Sequence, residues 1–290
     1  IFTVVAGRLR YHYSMLYRGS IEFIRLSKNE IIISIIGFMM VPFVIICSFN
    51  GYLLRLVLIA SISILILWKY SPFISRAKWD RSSFVELMKW GLPILIISQI
   101  EVWFSTLDRF VVLKNTEVLG LLTLAMIVKK GTATLVGAVS QVNFAYVAKM
   151  HGEKIPFDQL RMTSSGHLAI GLLLSLLFAT IVWLLLPYFV SSFLPEYDEG
   201  VQAAKYASLW PLVSIPSIYG NIIKILGRQW LLIIPAGVGV LCFFLFWGIG
   251  KEPTNSSLLA EKAVLTLIAS AIVKSFATVL LIYAVKYKEA

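Results

Sequence analysis

The chain has 290 residues, of which 59% are hydrophobic and 14% charged, against about 25% charged in an ordinary soluble domain. Lys and Arg number 26 and Asp and Glu 15, for a formal net charge of +11. These figures exclude a soluble enzyme, a disordered chain and a disulfide scaffold. They point to an all-α polytopic membrane protein, because each span needs about 20 apolar residues to cross the hydrocarbon.

In chain order, the opening Ile1–Ala6 reads as the tail of an apolar run, so the chain is expected to start inside a span, and no cleavable signal peptide is visible. Eight long apolar segments follow, at 31–48, 52–68, 88–112, 118–148, 167–190, 202–226, 230–249 and 258–285. Their hydrophobicity is continuous rather than alternating, which excludes an outer-membrane barrel. Cys47 and Cys242 lie in these runs and read as small buried hydrophobes.

The basic residues alternate with the segments. Connections 8–30, 69–87, 149–166, 227–229 and 286–290 hold fifteen: Arg8, Arg10, Arg18, Arg25, Lys28, Lys69, Arg76, Lys78, Arg81, Lys149, Lys154, Arg161, Arg228, Lys286 and Lys288. Connections 49–51, 113–117, 191–201 and 250–257 hold only Lys114 and Lys251. The basic side is expected to be cytoplasmic, the C-terminus with it. Trp68, Tyr70, Trp90 and Trp230 fall at inner ends, and Trp183, Tyr188 and Trp247 toward outer ends, as aromatic belts do.

Polar residues inside spans are costly and therefore informative. On 88–112, Glu101, Ser105 and Asp108 follow i, i+4, i+7 and share one helical face, with Arg109 beside it. On 118–148, Thr123, Lys130, Thr134, Gly137 and Gln141 make a stripe, while Lys129 falls on another face with Ser140. On 202–226, Ser214, Ser217, Asn221 and Lys224 make a third, extended by Arg228. On 258–285, Lys262, Thr266, Ser270, Lys274 and Thr278 recur every four residues. Segments 167–190 and 230–249 carry no charge and read as facing lipid or buried among helices. Helices with one wet face each can enclose a hydrated cavity, as a transporter requires.

Each charge also has a bland reading. Lys129 can snorkel or pair with an acid, and Lys224 and Arg228 can be interfacial anchors. Asp108 and Arg109 can form a structural ion pair, and Glu101 can pair with Lys129 or Lys130. Lys274 reads as structural or interfacial. Pro211 and Pro216 in one segment, with Pro93 and Pro235 in two others, permit bending. The acidic Glu196, Asp198 and Glu199 read as charge preceding a helix N-terminus. No P-loop and no HExxH occur, and His12, His151 and His167 have no metal spacing, so neither a cofactor nor a metal is expected.

Several stretches together resemble a known family. MKWGLPILIISQIEVWFSTLDRFVV, ending at 112, followed by EVLGLLTLAMIVKK, resembles the seventh and eighth helices of polysaccharide flippases. These are the O-antigen and lipid-linked-oligosaccharide transporters of the multidrug/oligosaccharidyl-lipid/polysaccharide exporter superfamily. The matching features are Gly91-Leu92-Pro93, Leu107-Asp108-Arg109 and Leu119-Gly120. Residues 17–36 resemble the connection between the fourth and fifth helices, 140–150 the end of the eighth, and 186–213 the ninth-to-tenth turn, with Pro195, Tyr197 and Ala203 in place. Leu122 and Ala145 depart from the pattern, where tyrosine and proline are usual.

The resemblance implies a two-lobe transporter of twelve or more helices around a central cavity, of which this chain would hold about eight and lack the first four. Residues 1–86 would end the N-terminal lobe and 87–290 form the six-helix C-terminal lobe. The function implied is flipping of polyprenyl-diphosphate-linked oligosaccharide across the bacterial inner membrane by alternating access, for lipopolysaccharide or other surface polysaccharide. A drug or cation antiporter of the same superfamily is the alternative, and it would want an acidic cavity. An enzyme is not expected, because the outward connections are too short to house a catalytic domain. Lys130, Lys224, Arg228 and Arg109 are the candidate cationic contacts to substrate, and Glu101 and Asp108 the ion-coupling candidates. Membrane lipid and polysaccharide polymerase or assembly proteins are the expected partners, and nucleic acid is not.

Overall fold

The computed structural model describes residues 2–20, 22–70, 80–249 and 253–285, in two compact units at 1–79 and 80–290. Of the charges counted above, Arg76, Lys78, Lys251, Lys286 and Lys288 lie outside the described residues.

The first unit contains α1 (Phe2–Gly19), α2 (Phe23–Met39) and α3 (Val41–Lys69). Much of 8–30, expected to be a connection, is helical, and an Arg10–Glu30 ion pair ties α1 to α2. Inside α3 the chain turns at Ser48, whose φ is 48°. Beyond that turn Arg55 Nε donates to the Gly37 carbonyl at 3.1 Å, so the stretch folds back along α2. The turn depends on Gly51, where a Cβ would stand 2.0 Å from the Phe43 carbonyl oxygen. Tyr17, Leu26, Ile33 and Leu67 form the core. The Tyr17 hydroxyl donates to the Leu67 carbonyl at 3.2 Å and accepts from Asn29 at 3.3 Å. Cys47 is exposed, not buried as expected, because it sits beside the turn at Ser48, where no other element of the unit covers it.

The second unit contains α4 (Arg81–Phe104), α5 (Leu107–Phe110), α6 (Thr116–Gly152), α7 (Phe157–Phe193), α8 (Val201–Ala207), α9 (Trp210–Ser214), α10 (Gly220–Ile225), α11 (Ile233–Gly248) and α12 (Ser256–Ala284). Side-chain caps start three of these. Asp80 accepts from the Ser82 and Ser83 amides, Asn115 from Val118 and Asn255 from Ser257. The Ser82 and Ser83 hydroxyls, with the same amides, hold the Asp80 carboxyl well below the usual carboxylate range. This cap is therefore at full strength above the ordinary carboxylate pKa of about 4 and fades only as the pH falls through its lowered value.

Among the described residues seven helices are long and apolar enough to cross a membrane. The eighth expected segment, 202–226, is not one helix. It breaks into α8, α9, a 3₁₀ turn (Ile215–Tyr219) and α10, with Pro211 and Pro216 each near the start of a piece. Two 37-residue helices, α6 and α7, exceed one bilayer crossing. Contacts also tie the two ends of the unit. Ser256 Oγ donates to Glu117 at 2.8 Å at one end, and the Arg161 guanidinium lies 5.0 Å from the Tyr283 ring centre at the other.

Packing between helices in lipid relies on close approach rather than on exclusion of water. Ala203, Ala204, Ala260 and Ala263 accordingly fill a cluster with Val118 and Leu122. A second cluster joins Ile97, Val147, Leu160, Ile222, Ile223 and Ile282. In α7 and α11 Gly171, Ser175, Ala179, Gly239 and Phe243 turn inward while Leu173, Leu177, Leu241 and Phe244 are exposed. This fits the expectation for the two uncharged segments. The four-residue repeat on α12 points inward, with Thr266, Ser270, Lys274 and Thr278 all buried.

Candidate functional site

The charged residues of α4 and α5 do not share one face. The Ser105 hydroxyl donates to the Val102 carbonyl at 2.8 Å and the Thr106 hydroxyl to the Trp103 carbonyl at 2.9 Å. Such local bonds compete with the helix ladder. The helix stops at Phe104, and Asp108 and Arg109 ride on the separate turn α5. Glu101 and Asp108 then find different partners.

Asp108 is 2% exposed and pairs with Lys129 at 2.5 Å, correcting the expected Asp108–Arg109 pair. The Lys129 ammonium also donates to the Ser105 carbonyl at 2.8 Å and lies 5.5 Å from the Trp210 ring centre. Carboxylate, carbonyl and aromatic face together compensate this buried ammonium, so the Lys129 reading as an acid's partner holds.

Glu101 pairs with Lys274, not with Lys129 or Lys130. The reason is reach: α12 packs with its polar repeat turned toward the end of α4, and the Lys274 ammonium lies 4.9 Å from the Phe104 ring centre. At Gly239 a Cβ would stand 3.1 Å from Lys274 Cβ and 3.2 Å from Phe104, so α11 and α12 approach closely just there. Beside the pair is a cavity of about 270 Å³ lined by Ser98, Glu101, Ser140, Ser217, Asn221, Lys224, Lys274 and Thr278 with apolar neighbours. Two ammoniums thus face one carboxylate.

A second, more open pocket of about 470 Å³ is lined by Ser105, Arg109, Thr123, Met126, Ile127, Lys129, Lys130, Ala133 and Trp210. Lys130, Thr123, Thr134 and Gln141, all in the expected α6 stripe, are exposed on the surface of this unit. Arg109 Nε is shielded from solvent and has no hydrogen-bond partner among the described residues. Arg228 is exposed, just past Gly227 at the end of α10, and lines neither pocket. The four cations expected as one set are therefore divided: Arg109 and Lys130 at one pocket, Lys224 at the other, Arg228 at neither. The coupling candidates Glu101 and Asp108 are both ion-paired.

The residues alone did not point to a polar tie across three helices. Asn221 Nδ2 donates to Asn143 Oδ1 at 3.2 Å and to the Ser140 carbonyl at 2.9 Å, and Asn143 Nδ2 donates to Ser164 Oγ at 3.0 Å. This joins α6, α7 and α10 beside the inner cavity. Asn143 in segment 118–148 was the available signal, since a buried amide must find partners.

A family model described as polysaccharide biosynthesis protein matches residues 2–194, more than half of the chain. The chain belongs to that family. No curated protein and no solved structure matches it. The matched region contains most of the first unit and α4 to α7, and so Glu101, Arg109, Lys129 and Lys130. Lys224 and Lys274 lie beyond it. Among the described residues no group of His, Cys, Asp and Glu side chains could hold a metal ion.

Proposed function

We propose that this multi-pass membrane protein is a carrier, not an enzyme, that moves polyprenyl-diphosphate-linked oligosaccharide from the inner to the outer leaflet of a bacterial inner membrane, with its C-terminus cytoplasmic. Family membership supplies the pathway, polysaccharide synthesis. The observation that carries the transport reading is the Arg109–Lys130 pocket on the exposed polar stripe of α6. A diphosphate and a sugar chain are both costly in hydrocarbon, and a hydrated cationic surface lowers that cost while the prenyl tail stays in lipid. The polar linings leave room for sugar hydroxyls, and the broken 201–225 segment supplies the bendable element alternating access needs. Polymerase or assembly proteins would receive the product.

The antiporter alternative fits less well. A cation carrier is served by carboxylates in excess of basic groups inside its spans, and here Asp108 and Glu101 are each ion-paired with a lysine while Lys224 adds a further positive charge.

The test is export in cells lacking the gene and complemented with the full-length protein. Arg109→Ala with Lys130→Ala is expected to cut surface polysaccharide at least about tenfold at unchanged protein level. Undiminished export would put the substrate contact elsewhere.

A further inference from the structure

The inner cavity has a charge imbalance that the transport reading does not use. Lys274 is the fixed partner: its side chain is 10% exposed, held against Phe104 and close to Gly239. Glu101 is the accessible partner, with 41% of its side chain exposed. Lys224 lines the same cavity and, among the described residues, makes no ion pair within 4.0 Å. A buried ammonium needs an anion beside it at all times. The one it has is exposed enough to leave, and the neighbouring Lys224 leaves the site one positive charge in excess.

We propose that this cavity is an anion site for a phosphate-type oxyanion, in which the Glu101 carboxylate stands in for the ligand while the site is empty. An incoming oxyanion bridges Lys274 and Lys224 and displaces Glu101 into the open part of the cavity. Lys274 keeps an anion beside it at every stage, so the exchange avoids the cost of stripping a buried ammonium of its partner. The space suffices: a water takes about 30 Å³ of liquid, and the cavity of about 270 Å³ admits a phosphate or diphosphate group. The Ser98, Ser217 and Thr278 side chains in the lining add hydroxyls to the two ammoniums. The tethered carboxylate also sets selectivity. A weak monoanion cannot outcompete a carboxylate already in place, whereas a multiply charged phosphate can make two charge-assisted contacts at once. Only the source of the anion, lipid headgroup or free phosphate, rests on the transport reading.

The test measures pyrophosphate binding by titration calorimetry to the full chain purified in nanodiscs. Glu101→Gln removes the competitor and is expected to tighten pyrophosphate at least about tenfold, while Lys224→Met weakens it by a similar factor. A Glu101→Gln protein that is less heat-stable but binds pyrophosphate no better would make the pair merely structural and overturn the proposal. If Glu101→Gln does not fold, Lys224→Met, which breaks no ion pair, decides alone. A pyrophosphate-dependent rise in unfolding temperature seen in the unaltered protein and absent in Lys224→Met supports the site, and an equal rise in both overturns it. Nanodiscs containing a polyprenyl diphosphate identify the source: competition with pyrophosphate assigns the headgroup, and unimpaired binding assigns free phosphate, the site standing in both cases. Pyrophosphate binding without any lipid translocation would sink the transport reading alone. Translocation with no response to Glu101→Gln or Lys224→Met would sink the anion site alone.

Discussion

Two consecutive lysines in the apolar helix α6 have opposite surroundings. Lys129 is enclosed by Asp108, the Ser105 carbonyl and Trp210, while its neighbour Lys130 faces outward from the unit. Consecutive residues on a helix point about 100° apart, so one turn can hold a structural charge and a ligand-facing one. Removing one partner of a buried pair costs about 3–5 kcal/mol, because the other is left uncompensated. Asp108→Asn is therefore expected to lower the denaturant resistance of the purified protein by that order, and Lys129→Met with Asp108→Leu to recover much of it. A double variant as unstable as the single one would show that the pair acts through something other than its charges. The division of labour between 129 and 130 was legible from spacing, since the stripe through Thr123, Lys130, Thr134 and Gln141 excludes position 129. The partners of Glu101 and Asp108 were not. Glu101 and Lys274 are 173 residues apart, and only the packing of α11 against both α4 and α12 brings them together.

At the scale of elements, breaks matter as much as helices. The breaks in 201–225 were announced by Pro211 and Pro216, which remove amide donors and crowd the preceding turn. The break after Phe104 has no proline or glycine. It arises where Ser105 and Thr106 bond back to their own turn, a pattern that serine and threonine in lipid-embedded helices often adopt without breaking them. The sequence could not distinguish those outcomes, and the helical face expected across 101–108 failed for that reason. The turn in α3 is a different case, requiring a residue without a Cβ at 51. Gly51→Ala is expected to open the α2–α3 packing and expose the amides around Gly37 to hydrogen exchange. Unchanged protection there would mean that the close approach to Phe43 is dispensable.

Over the whole molecule, apolar length alone indicates the all-α membrane class, because in lipid every backbone group must be satisfied within a helix, but seven long apolar helices stand among the described residues where eight spans were expected. What needed the fold was the partition of charge. The cationic set, read as one, is split between an open pocket with Arg109 and Lys130 and an inner cavity where Lys224 and Lys274 share Glu101. That partition divides a general excess of basic residues between a more open pocket and a cavity whose lysines share one carboxylate.

The most direct measurement is translocation itself. The full-length protein would be reconstituted into vesicles with a fluorescent polyprenyl-diphosphate oligosaccharide, and access of an added glycosidase to the inner-leaflet label followed over time. The account expects label to become accessible well above the protein-free rate, and Arg109→Ala with Lys130→Ala to return it to that rate. Equal rates with and without the unaltered protein, in vesicles shown to contain folded protein, would contradict it.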